Sequence, residues 1–197
     1  FFGRVNYDYK SKYLLSLVLR RDGYSKLPKD NRWGTFPGIS AGWVLSRENF
    51  MESCSNVLSY AKIRASYGAN GNVSGVLDAN GNVVTGLDYY TVQGSYGIMK
   101  DKDGKIVPNY NGKVPLMIND LPNPTMRWEK SYTFETGFDI GFLNNKYILN
   151  FTYYNRHTQD KFAEITLPSH SGVSSFLSNN GEVQNQGMEL ELTANVL

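Results

Sequence analysis

No run of eighteen apolar residues occurs anywhere in this 197-residue chain, and mean hydropathy is −0.41. That excludes a protein crossing a membrane by helices. It leaves membrane-crossing strands open, because alternation hides them from hydropathy averages. Cysteine is nearly absent: Cys54 stands alone, so no internal disulfide forms. Histidine is scarce too. His157 and His170 are the only two, and no zinc-ligand spacing links them to Cys54. No P-loop, GxSxG or GxGxxG element is present, so no cofactor is implied. The formal net charge of +2 gives no footprint for a nucleic-acid partner. The opening residues read as a strand rather than a signal peptide, and both ends are expected to be strands of something longer.

Aromatics, by contrast, are abundant at 14%, with 14 tyrosines. From Tyr132 to Phe142 the chain alternates strictly. Tyr132, Phe134, Thr136, Phe138, Ile140 and Phe142 form one row; Thr133, Glu135, Gly137, Asp139 and Gly141 form the other. A period of two marks a strand with unlike faces. The pattern recurs, predicting seven strands over about 1–10, 13–20, 33–45, 60–67, 131–142, 147–156 and 187–197. Segments of about ten residues have the length of strands that cross a bilayer. The expected fold class is therefore all-β, an antiparallel membrane-barrel segment.

Connection lengths alternate as well. Residues 10–12 and 143–146 are tight turns, the second carrying Asn144-Asn145 suited to positive φ. Residues 21–32, 68–129 and 157–186 are long, and short turns opposite long loops is the outer-membrane arrangement. The first long loop, basic at both ends, reads as solvated and self-paired. Residues 46–59 fall on the turn side and are read as a short helix. Within the longest loop, Asp78-Ala79-Asn80-Gly81-Asn82 echoes Asp101-Lys102-Asp103-Gly104-Lys105. A calcium loop would need glycine sixth and glutamate twelfth, where Val83 and Tyr89 stand. Two small hairpins are the better reading.

Several constellations invite a functional reading. Glu135 with Asp139, and Glu189 with Glu191, are same-face carboxylate pairs, as glycosidases use. A water-filled lumen asks for the same residues, with Arg4, Arg20, Lys62 and Arg64 as counter-charges, so the eight are read as lumen-lining rather than catalytic. Arg64 is placed within reach of Glu135 or a diagonal neighbour. Tyr9, Tyr13, Trp33, Trp43, Phe142, Tyr147 and Tyr153 fall near strand ends, where girdles sit at the two interfaces with lipid. Tyr24, Tyr89, Tyr90, Tyr96 and Tyr110 lie in loops and are candidates for touching a substrate or a partner.

Residues 1–51, KIRASYGANGN (62–72), LPNPTMRWEKSYTFETGFDIGFLNNKYILNFTYYNRHTQDKF (121–162) and NNGEVQNQGMELEL (179–192) resemble, in order, the SusC/RagA family. These are the TonB-linked outer-membrane transporters of Bacteroidetes. The resemblance skips the insert between about 72 and 121. It implies a barrel of about 22 strands with a plugged lumen, integral to the outer membrane. It also implies a SusD-like surface lipoprotein as lid, energy from TonB with ExbB and ExbD, and import of glycans or oligopeptides. Seven strands cannot close such a barrel, so the chain resembles an internal stretch of its wall and needs the remaining strands. The competing expectation, from the alternation alone, is a carbohydrate-binding β-sandwich.

Overall fold

Seven long strands hydrogen-bond into one antiparallel sheet. The computed structural model describes residues 1–54, 56–77, 83–85, 87, 89–107, 111, 113–173 and 175–195, without the side chains of 76–77, 83–85, 89–90 and 169. In chain order the elements are β1 (Phe2–Tyr9), β2 (Tyr13–Gly23), β3 (Trp33–Val44), β4 (Leu58–Asn72), β5 (Val76–Leu77), β6 (Val83–Thr85), α1 (Tyr89–Gln93), β7 (Ser95–Ile98), β8 (Leu116–Asp120), β9 (Glu129–Phe142), β10 (Tyr147–Thr166) and β11 (Ser175–Ala194). The large sheet has the order β1-β2-β3-β4-β9-β10-β11, while β5-β6 and β7-β8 are separate two-stranded pairs. Among the described residues no second sheet covers the large one, as a sandwich would require.

The turns at one end are forced by sequence-local geometry. Lys10 and Ser11 both take φ of 53°, and Asp8 Oδ1 accepts the Ser11 amide at 2.7 Å. Leu143, Asn144 and Asn145 run through φ of 50°, 57° and 61°. Asparagine tolerates that region better than most residues.

Several strands outrun their sequence expectation. The fourth, expected at 60–67, spans Leu58–Asn72. The sixth continues to Thr166, and the seventh begins at Ser175. The excursion expected over 157–186 is therefore mostly a paired hairpin, with its connection confined to 167–174. Its start is polar on both faces (His157, Thr158, Gln159, Asp160, Lys161), so no apolar row announces it. Register alone carries it onward, through a bulge where Asp160 takes φ of 57°.

The short helix expected over residues 46–59 is not an α-helix and is split in two. Two 3-10 turns occur instead, at Leu45–Arg47 and Asn49–Cys54, separated by an extended Glu48 with ψ of 144°. The Glu48 carboxylate accepts hydrogen bonds from Lys12 Nζ (3.0 Å), the Tyr13 hydroxyl (2.8 Å) and Trp43 Nε1 (3.1 Å). These ties hold Glu48 extended and split the two helical turns. In the insert, Lys100 bridges Ile106 around Asp101–Gly104, where Asp101 Oδ1 accepts from the Asp103 and Lys105 amides. That is a hairpin turn. Its echo at 78–82 lies outside the described residues.

A hydrophobic core sits at the long-loop end. Leu27, Phe36, Leu87, Met126, Trp128, Phe162 and Leu177 pack there, with Leu27 2% exposed and Met126 fully covered. The first long loop is thus pinned by Leu27 rather than simply solvated. Polar side chains fasten the core. Asn123 Nδ2 donates to Leu177 O (2.9 Å) and Trp128 Nε1 to Arg32 O (3.2 Å). The buried Glu129 carboxylate accepts from Phe162 N (2.6 Å) and Asn72 Nδ2 (2.7 Å).

Candidate functional site

Strand register sorts the side chains into two faces. On one, Asn6, Ser16, Ser40, Ser66, Glu135 and Tyr154 stand in a single row across β1 to β10. The row beside it is Asp8, Leu14, Gly42, Arg64, Gly137, Thr152 and Glu189. A third contains Lys62, Asp139, Asn150 and Glu191. This face is polar. The opposite one reads Tyr9, Tyr13, Trp43, Ile63, Phe138, Phe151 and Leu190, then Tyr7, Leu15, Ala41, Ala65, Thr136, Tyr153 and Met188. It is apolar and uncovered: Leu17, Leu19, Met188, Leu190 and Leu192 are all exposed.

Seven of the eight charged residues picked out from the sequence border shallow hollows on the polar face. The largest of these, about 470 Å³, is lined by Asn6, Asp8, Ser16, Ser40, Lys62, Arg64, Ser66 and Glu135, among others. A neighbour of about 450 Å³ takes in Arg64, Asp139, Asn150, Glu189 and Glu191. Arg4 borders a third with Glu135 and Arg156. Arg20 stands apart, 2.7 Å from Asp22 and over the Phe36 ring. Arg64 and Glu135 share the face, as expected. The ion pair, however, joins Arg64 Nε to Asp139 Oδ1 at 3.3 Å, while Arg64 also donates to Thr152 Oγ1 at 2.6 Å. Glycine makes that reach possible: Gly137 lies directly opposite Arg64 and leaves the path clear.

The aromatic residues mark both strand ends. Tyr9, Tyr13 and Trp43 stack in sequence, with centroids 6.4 and 6.3 Å apart, at the turn end. Phe142 pairs with Tyr147 at the foot of the β9–β10 hairpin. Trp33 stacks on Phe1 at the far end (6.2 Å), where Arg21 lies over its ring. Tyr153 stands on the apolar face of β10. Of the loop tyrosines, Tyr24 is half-buried edge-on against Trp128, and Tyr96 is 75% exposed. The side chains of Tyr89 and Tyr90, and all of Tyr110, lie outside the described residues.

The apolar band crosses the sheet diagonally. On β2 it runs from Tyr13 to Leu19, before Arg21. Tyr13 shares a row with Phe151 of β10, yet the β10 band starts four residues further down, at Tyr147. Leu17 shares a row with Asn155, and the β2 band runs two residues past Leu17 to Leu19, yet the β10 band ends two residues short of Asn155, at Tyr153. From β2 to β10 each limit therefore moves by four residues over four strand steps, an average of one per step.

Beyond the band, two groups are tuned by neighbours. Hydrogen bonds from Tyr13, Trp43 and Lys12 push the Glu48 carboxyl down to about 2. The Arg127 guanidinium, 2.6 Å away, holds Asp160 below the usual aspartate range. Among the described residues no group of three His, Cys, Asp or Glu could hold a metal. His157 contacts Glu182 on the apolar side of the sheet, far from the carboxylates of the polar face.

The family model described as TonB dependent receptor-like, beta-barrel, matches residues 1–196. TonB-dependent receptor P3 of Formosa agariphila is 35% identical over 98% of this chain. TonB-dependent receptor SusC of Bacteroides thetaiotaomicron is 33% identical over the same share. The chain spans 18% of each relative's length. A solved structure of the RagAB peptide transporter superposes with a TM-score of 0.78 at 25% identity, covering 98% of this chain and 19% of that one.

Proposed function

The chain belongs to the TonB-dependent receptor-like β-barrel family, and from that membership we propose that it forms part of the wall of an outer-membrane importer. The diagonal apolar band carries the reading. An average slip of one residue, about 3.3 Å, per strand spacing of about 4.8 Å means strands tilted roughly 35° to the band. Closed membrane barrels have that tilt. A sheet packing against a soluble core has no reason to keep an uncovered apolar band while its strands slide past it.

The assignments follow. The apolar face meets lipid, and Tyr9, Tyr13, Trp43, Phe142 and Tyr147 form the girdle at the turn end, with Trp33 and Tyr153 toward the other. The polar face lines the lumen or touches the plug, through Arg4, Lys62, Arg64, Glu135, Asp139, Glu189 and Glu191. Further strands continue from β1 and β11, since unpaired backbone is not tolerated in hydrocarbon. The cargo class is glycans or oligopeptides; the peptide named for RagAB supports the second. A SusD-like lipoprotein lids the mouth, and TonB with ExbB and ExbD supplies the force that displaces the plug. The wall's part is passive and electrostatic: fixed charges of both signs keep the passage wet. No step breaks a covalent bond.

Deleting the full-length gene tests the reading. Uptake of the cargo should stop, and should stop equally when TonB is removed. Uptake that persists in the deletion strain would overturn it.

A further inference from the structure

The apolar face carries a polar island just above the β10 limit of its band. Tyr67, Tyr132, Phe134, Asn155, His157 and Gln159 line a hollow of about 410 Å³ there. Tyr67 and Tyr132 stand nearly parallel, 15° between planes and 6.5 Å between centroids. Gln184 Nε2 donates to Asn155 Oδ1 at 3.0 Å, and His157 is in contact with Glu182. Directly below, on the same face of β10 and β11, lie Tyr153, Phe151, Met188 and Leu190. The arrangement is amphiphilic from bottom to top.

We infer that this hollow binds the saccharide headgroup of an outer-leaflet glycolipid, an assignment that rests on the apolar face meeting the membrane. Aromatic faces carry negative charge density and attract the C–H faces of a sugar ring. The amides of Asn155, Gln159 and Gln184 supply donors and acceptors at its edge. Charge selects against a bare phosphate: the His157 ring has Glu182 beside it, and Lys130, next along β9, has Asp160 nearby. Continuity with the band selects a lipid over a free glycan, because acyl chains would lie along Tyr153, Phe151, Met188 and Leu190 while the sugar occupies the hollow.

The test uses the full-length protein purified in detergent, and three probes. These are fluorescent lipopolysaccharide from the producing bacterium, the saccharide released from it by mild acid, and phosphatidylethanolamine. Lipopolysaccharide should bind at least about tenfold more tightly than either of the others. Tyr67→Ala with Tyr132→Ala, and separately Asn155→Leu, should each abolish that preference, and Tyr132→Phe should keep it. Heat-modifiable migration on a gel verifies that each variant is folded. Equal binding of all three probes would overturn the inference, as would folded variants that keep the preference. Freed saccharide binding as well as lipopolysaccharide would overturn the lipid assignment. Cargo uptake separates the two readings: a barrel that imports normally but lacks the preference refutes this site alone.

Discussion

Arg64 reaches diagonally past Gly137 to Asp139, although Lys62 is the residue directly opposite that carboxylate. The pair is about one-third exposed on the arginine side, so solvent screening keeps its value small. Asp139→Asn should cost roughly 0.2–1 kcal/mol, and the loss should shrink in high salt. Glu135→Gln should cost less, since that carboxylate is not the one in the ion pair. Reversible unfolding of the full-length barrel in detergent, at two salt concentrations, measures both.

Gly137 sets this geometry from below. A Cβ there would lie 2.2 Å from the Phe151 carbonyl oxygen, a backbone atom that cannot swing away. Gly137→Ala should therefore cost about 1–3 kcal/mol as overpacking. If the variant proved as stable as the parent in the same unfolding experiment, the close approach of β9 and β10 would be wrong.

Phe138 stacks on Phe151 at 5.2 Å, inside the Tyr147 to Tyr153 band on β10 and four residues from both Phe134 and Phe142 in its own row on β9. Arginine in place of Phe138 should cost roughly 2–4 kcal/mol, the midplane value for a lipid-facing position. The same change at Ser66, on the polar face, should cost much less. Comparable costs at the two positions would refute the assignment of faces.

Glu48 gives a pH handle on the turn end. Its carboxyl ordinarily titrates near 4.5 and is lowered to about 2, first by the Tyr13 hydroxyl, then by Trp43 and Lys12. A depressed carboxylate contributes stability that is complete above its unfolded value and is lost as pH falls through its folded value. The local knot should therefore loosen between about pH 4.5 and pH 2. Trp43 fluorescence should report the change, and Glu48→Gln should remove the pH dependence across that window.

Sequence alone revealed the sheet wherever one face was apolar and the other was not. The alternation of Tyr132 to Phe142 and of Met188 to Leu192 fixed both the strands and their faces. It failed where both faces turned polar, at residues 157–166 and 175–186, because period two has no contrast there. The long-loop core was hidden for another reason. Leu27 and Met126 are single apolar residues in polar stretches, Phe162 and Leu177 lie where the strands lose their alternation, and only the fold brings the four together. Charge sign was legible but pairing was not. Asp139 rather than Glu135 engages Arg64 because of a glycine gap, and such a gap leaves no mark in charge patterning.

Topology provides the last test. The turns at residues 10–12 and 143–146 lie at one end of the sheet, and the insert hairpin with Lys102 at its tip hangs from the other. In an outer-membrane barrel the short turns face the periplasm and the long loops face outward. Cys54 sits exposed in the turn-end segment, so it is replaced first by serine in the full-length protein. A single cysteine at Lys102 should then react with a membrane-impermeant maleimide on whole cells. One at Asn144 should react only after the outer membrane is opened. Labelling of position 144 in intact cells, with position 102 protected, would invert the orientation and with it the placement of the lid and the glycolipid hollow.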